Sequence, residues 1–108
     1  MNIINEIDAL EVKKRFDSNE NLNIIDVREL DELKICKIDA TTHIPMMEIP
    51  NQIDQLDKES ELIILCRSGV RSHRVCHFLL SRGFKNVKNF SGGILDWIQQ
   101  VDPSMQSY

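Results

Sequence analysis

Leu62-Ile63-Ile64-Leu65 runs directly into Cys66-Arg67-Ser68-Gly69-Val70-Arg71-Ser72, and a helical pattern follows from Ser72 to Arg82. No other stretch constrains the fold as strongly. Four apolar residues in a row read as a strand buried on both faces. Val75, Phe78 and Leu79 then share one helix face, and Gly83 stands just past the last turn. A buried strand that feeds a helix belongs in a parallel sheet covered by helices.

The same stretch carries the chain's most chemically suggestive residue. Cys66 stands where the strand ends and the helix begins. N–H groups at a helix start lack intrahelical partners, and the helix dipole adds positive potential there. A turn at Gly69 can fold those groups inward as an anion cradle. Arg67 and Arg71 add two positive charges. Such surroundings lower a thiol pKa, and the thiolate is the nucleophile. A core cysteine beside two surface arginines is the plainer alternative.

Charge placement agrees with an anion site. Between Leu62 and Leu95 lie Arg67, Arg71, Arg74, Arg82, Lys85 and Lys88, and no Asp or Glu, in a chain of net charge −4. An anionic substrate would be drawn to that segment. Arg74, Arg82, Lys85 and Lys88 also suit an ordinary basic helix face. The acidic balance and scarce aromatics speak against nucleic acid.

At 108 residues the expectation is a single domain over 1–108, with 100–108 as a C-terminal tail. No apolar run approaches a membrane span, and the first residues lack a basic segment followed by a long apolar one. With three cysteines in no paired spacing, the expected compartment is the cytoplasm. Further elements alternate along the chain. Helix is expected over 8–17, strand over 22–27, a short helix over 29–33 and strand over 41–44. Helical spacing covers 46–56, with Pro50 in the first turn or breaking it. A strand over 86–90 leads to Gly92-Gly93 and a last helix to Gln100. Ligands of such sheets bind beyond the carboxyl ends of the strands, where Cys66 lies.

These segments together resemble a single-domain rhodanese, a sulfurtransferase family. Asp26-Val27-Arg28-Glu29 is similar to its early strand-end motif and His43-Ile44-Pro45 to its central segment. Cys66 to Ser72 is similar to its active-site loop, and Phe90 to Trp97 to its glycine-pair and tryptophan motif. Val101-Asp102-Pro103-Ser104, with Tyr108 last, resembles rhodanese domains fused to sulfur-carrier adenylyltransferases. The resemblance implies a three-layer α/β fold, a mostly parallel sheet with helices on both faces.

It further implies that Cys66 takes sulfane sulfur from a small anionic donor such as thiosulfate and holds it as a persulfide. The donor and the sulfur would be bound by Arg67, Ser68, Gly69, Val70, Arg71 and Ser72. An acceptor such as cyanide, a thioredoxin-like protein or a sulfur-carrier protein would receive it. Members that favour thiosulfate tend to carry a basic residue directly after the cysteine, as Arg67 does here. No metal or organic cofactor is expected, and no membrane partner. Asp26 and Arg28 are expected as supporting residues, paired or anchoring a loop, with substrate contact as the second reading.

Two alternatives remain at this point. Cysteine phosphatases and arsenate reductases of the same fold use a cysteine and an arginine around an N–H cradle, with one residue more between them than the four from Arg67 to Val70. The loop here holds no acid to protonate a leaving alcohol. A non-catalytic interaction module would be expected to lack Cys66. Cys36 and Cys76 read as small core residues, with a resolving role second, and Trp97 reads as core. His73 and His77 lie one helical turn apart but have no third metal ligand in view.

Overall fold

The computed structural model describes residues 3–108. Strand β1 (Asn5–Ile7) is followed by α1 (Ala9–Asp17), β2 (Ile24–Asp26), α2 (Leu30–Ile35) and β3 (Thr42–His43). After α3 (Ile49–Gln52) come β4 (Leu62–Leu65), α4 (Val70–Ser81), β5 (Val87–Phe90) and α5 (Gly93–Gln100). The strands form one parallel sheet in the order β1-β5-β4-β2-β3. Parallel neighbours need crossover connections, and the helices supply them.

Strand parity divides the core. Ile63 and Leu65 of β4 pack with Ile24 and Phe90 under α1 and α5, where Val12, Ile94 and Trp97 close the layer. Leu62 and Ile64 point to the other face, with Ile25 and Val87, under Val75, Cys76 and Leu79 of α4 and Ile49 of α3. Both faces of β4 are therefore covered, as its unbroken apolar run requires. Cys66, next after Leu65, falls on the α4 face. Trp97, Cys36 and Cys76 are buried, as expected.

The structure corrects several boundaries. β1 has no strong sequence signal, because only Ile7 of its three residues is buried, and pairing with β5 defines it. Leu10 of α1 is apolar yet 54% exposed. The stretch 46–56 is not one helix. Met46–Glu48 and Ile53–Gln55 form 3-10 turns on either side of α3. Pro50 lies in the first turn of α3, where its missing N–H is harmless. Helix α4 starts at Val70 rather than Ser72. Gly69 caps it at φ 104°, a left-handed conformation that a side chain resists, so the helix can begin earlier than its apolar face suggests. Among the described residues no helix is long and apolar enough to cross a membrane.

Candidate active site

Cys66 ends up at the carboxyl end of β4, 1% exposed, under the start of α4. The chain turns at Gly69 and brings that residue's N–H to 3.0 Å from Cys66 Sγ. The Ser72 hydroxyl lies 3.2 Å from the sulfur. The thiol is held below its ordinary value. Burial pushes it up, but hydrogen bonding from the Ser72 hydroxyl and from the N–H groups of Ser72, Gly69 and Ser68 outweighs that cost. Cys76, two turns below the start of the same helix, has only a weak backbone hydrogen bond to lower it. Burial, with smaller effects from Glu6 and Cys66, pushes it up to about 12.

A second helix start grips the loop from behind. The N–H groups of Ile94 and Leu95 in α5 donate to the carbonyls of Cys66 at 2.9 Å and Arg67 at 3.1 Å. This close approach explains the glycine pair. A Cβ on Gly93 would stand 2.3 Å from the Arg67 carbonyl oxygen, and its φ is 60°. The carbonyls point toward α5 and leave the loop's N–H side turned to the sulfur. A cavity of about 420 Å³ opens beside the loop, lined by Glu6, Ser68, His73, Arg74, Asn89 and Ser91.

The arginines behave differently from the sequence expectation. Arg71 forms a two-pronged pair with Glu32 of α2, at 2.8 and 2.7 Å. That pair, opposed by burial and aided by the Glu29 backbone and Tyr108, holds the Glu32 carboxyl down at about 2. Arg67 donates from Nε to the Tyr108 carbonyl oxygen at 2.9 Å, and from Nη2 to the same atom. The acid-free segment is thus not acid-free in space, since Glu32 and Glu6 arrive from other elements. Hydrogen-bond donors, rather than the two expected charges, are the main groups that lower the Cys66 thiol.

Asp26 and Arg28 form a fully buried ion pair, with Arg28 Nη2 2.8 Å from Asp26 Oδ2. Arg28 also donates to the Cys36 carbonyl at 2.9 Å and to the Tyr108 hydroxyl at 3.0 Å. His43 Nε2 meets the Arg28 carbonyl at 2.7 Å. The pair therefore ties the end of β2 to β3, to the residue after α2 and to the tail. Its geometry is that of an anchor, with every charged atom turned to protein.

Sequence reasoning missed Glu32, Asn89 and the docking of Tyr108. Glu32 had a faint signal, the capping box it closes with Glu29. Asn89 had one too, a polar residue at the same strand parity as buried Val87. Tyr108 had none beyond its resemblance to a family ending. Among the described residues no group of three or more His, Cys, Asp or Glu could hold a metal ion.

The comparisons with known proteins agree with this geometry. The rhodanese-like domain family matches residues 8–100. The chain belongs to that family. It is 40% identical over 100 residues to YtwF of Bacillus subtilis, covering 93% of this chain and 96% of the relative. It is 33% identical over 101 residues to a protein named sulfurtransferase in Allochromatium vinosum, covering 94% of each. The crystal structure of a rhodanese-like domain protein from Staphylococcus aureus superposes with a TM-score of 0.84 at 28% identity, over 97% of this chain and 99% of that one.

Proposed function

We propose that this rhodanese-like chain is a sulfurtransferase that carries sulfane sulfur on Cys66. The observation that carries the reading is the contact of 3.0 Å between the Gly69 N–H and Cys66 Sγ, in a loop whose N–H groups face the sulfur. The Cys66 thiolate attacks the outer sulfur of thiosulfate. The sulfur–sulfur bond of the donor breaks, and its electron pair leaves with sulfite. The new persulfide carries its negative charge on the outer sulfur, where loop N–H groups stabilise it as an oxyanion hole stabilises oxygen. A thiophilic acceptor then attacks that outer sulfur. With cyanide the product is thiocyanate, and the Cys66 thiolate returns. Proteins with a reactive thiol or a sulfur-accepting tail are acceptors of the same chemical kind.

A phosphatase reading needs a proton donor for the leaving alcohol. The loop contains no acid, and Glu32 is kept ionised by Arg71. The direct test of sulfur transfer is intact mass after incubation with thiosulfate. A gain of about 32 Da, one sulfur atom, that a reductant removes is the expected result. No gain, under conditions where the thiol is free, overturns the reading.

A further inference from the structure

Asn89 sits on β5, 3% exposed, with its amide turned toward the active-site loop. Its Nδ2 faces two acceptors, the Gly69 carbonyl and Glu6 Oε1, each at 3.2 Å. An amide nitrogen only donates and an amide oxygen only accepts, so these two acceptors fix which way the group is turned. Oδ1 is left facing Ser72 Oγ, which donates to it. The same Ser72 Oγ is 3.2 Å from Cys66 Sγ. A hydroxyl has one hydrogen, and Ser72 is fully buried. Two acceptors, the amide oxygen and the ionised sulfur, therefore claim one hydrogen.

We propose that Asn89 is a positioning residue that competes with Cys66 for the Ser72 hydrogen and thereby sets how readily Cys66 ionises. In the thiol state Ser72 donates to Asn89 and accepts from the Cys66 S–H. In the thiolate state the hydroxyl turns to the sulfur, and Asn89 Oδ1 loses its donor. On the sulfurtransferase reading above, charge then moves to the outer sulfur of the persulfide, and the hydroxyl turns back to Asn89. The hydrogen stays bonded to Ser72 throughout, and only its acceptor changes. Other charged or titratable groups surround the pair without taking that hydrogen. Arg71 and Cys76 of α4 interact with Cys66, Glu32 of α2 offsets Arg71, and Glu6 of β1 holds the far end of Asn89. Arg67 is turned to Tyr108, and His73 and Arg74 line the cavity outside the loop.

The test is the rate of iodoacetamide alkylation against pH, followed by the mass of the peptide that carries Cys66. It compares the unmodified protein, Asn89→Leu, Ser72→Ala and the double variant. Asn89→Leu lowers the Cys66 inflection by about one pH unit, because Ser72 can then donate to the thiolate at no cost to a second acceptor. In the Ser72→Ala background the same change does not lower it. An inflection that Asn89→Leu leaves in place or raises, or lowers equally in both backgrounds, overturns the proposal. If the leucine variant does not fold, Asn89→Ala makes the same comparison: it lowers the inflection while Ser72 is present and not once Ser72 is Ala, whereas an inflection that it leaves in place, raises, or lowers equally in both backgrounds overturns the proposal. Alkylation involves no sulfur donor, so its failure leaves the sulfurtransferase reading intact, and a missing sulfur adduct leaves this one intact.

Discussion

Arg67 lies over the ring of Tyr108, its guanidinium carbon 5.0 Å from the ring centroid, while its Nε donates to that residue's carbonyl oxygen at 2.9 Å. The Tyr108 hydroxyl in turn donates to Glu32 at 2.8 Å and accepts from Arg28 at 3.0 Å. Arg71 donates to both oxygens of Glu32, sharing Oε1 with the Tyr108 hydroxyl. One residue thus links the three arginines around the loop, two directly and one through a carboxylate.

If Arg67 recruits an anionic donor, as the family resemblance implies, that role competes with its contacts to Tyr108. Arg67→Gly raises the KM for thiosulfate severalfold with a smaller change in kcat, since the lost attraction acts before chemistry. Ending the chain at Ser107 has the opposite effect, because it frees the guanidinium for the donor. High salt narrows both differences by screening. Steady-state kinetics at low and high salt check this. Equal KM values in all three proteins would make Arg67 an anchor for the tail alone.

Cysteine substitutions separate the three buried thiols. Cys66→Ser abolishes thiosulfate-to-cyanide transfer, because a hydroxyl cannot form a persulfide. Cys36→Ser and Cys76→Ser keep most of it. Peptide mapping after brief alkylation near pH 8 finds Cys66 modified and Cys76 untouched, since burial keeps Cys76 protonated up to about 12. Near-normal turnover by the Cys66 variant would refute the mechanism.

Acid stability depends on Glu32. Its carboxyl is held at about 2 rather than the ordinary 4.5, chiefly by the Arg71 hydrogen bonds. A carboxylate held low in the folded state stabilises fully above 4.5 and loses that contribution as pH falls toward 2. Urea midpoints measured across that interval fall for the unmodified protein. Glu32→Gln starts lower by about 1–2 kcal/mol at pH 7 and falls less steeply below pH 4.5. Parallel curves for the two proteins would remove Glu32 from the account.

Gly93 sets how closely α5 approaches the loop. Gly93→Ala puts a Cβ against the Arg67 carbonyl and strains a left-handed residue, so it costs about 2–4 kcal/mol. A lower urea midpoint with an unchanged slope is the expected signature. Gly83→Ala, with only the end of the Lys58 side chain nearby at 4.0 Å, meets the φ penalty without the clash and costs less.

Much of this fold is legible in short stretches of sequence. Leu62–Leu65 is a strand in the structure with the bounds its apolar run implies, and α5 opens at the glycine pair as expected. These features are local, since a run of apolar residues or a glycine at positive φ carries its instruction within a few positions. Weaker local signals fared worse. β1 exists because β5 offers it a ladder, and the segment after Pro45 breaks into short turns that its helical spacing alone did not reveal.

The sequence alone determined that a cysteine would stand at the carboxyl end of a buried strand, followed by a glycine turn and a helix. Only the tertiary structure decided what surrounds it. The partners of Arg67, Arg71 and Ser72 are Tyr108, Glu32 and Asn89, which lie 41, 39 and 17 positions away along the chain. Those separations carry no local pattern. The strand order β1-β5-β4-β2-β3 sets β5 with Asn89 on one side of β4 and β2, which leads into α2 with Glu32, on the other. Charge and hydrogen-bonding capacity are written in the residues, but who meets whom is fixed by which strands become neighbours.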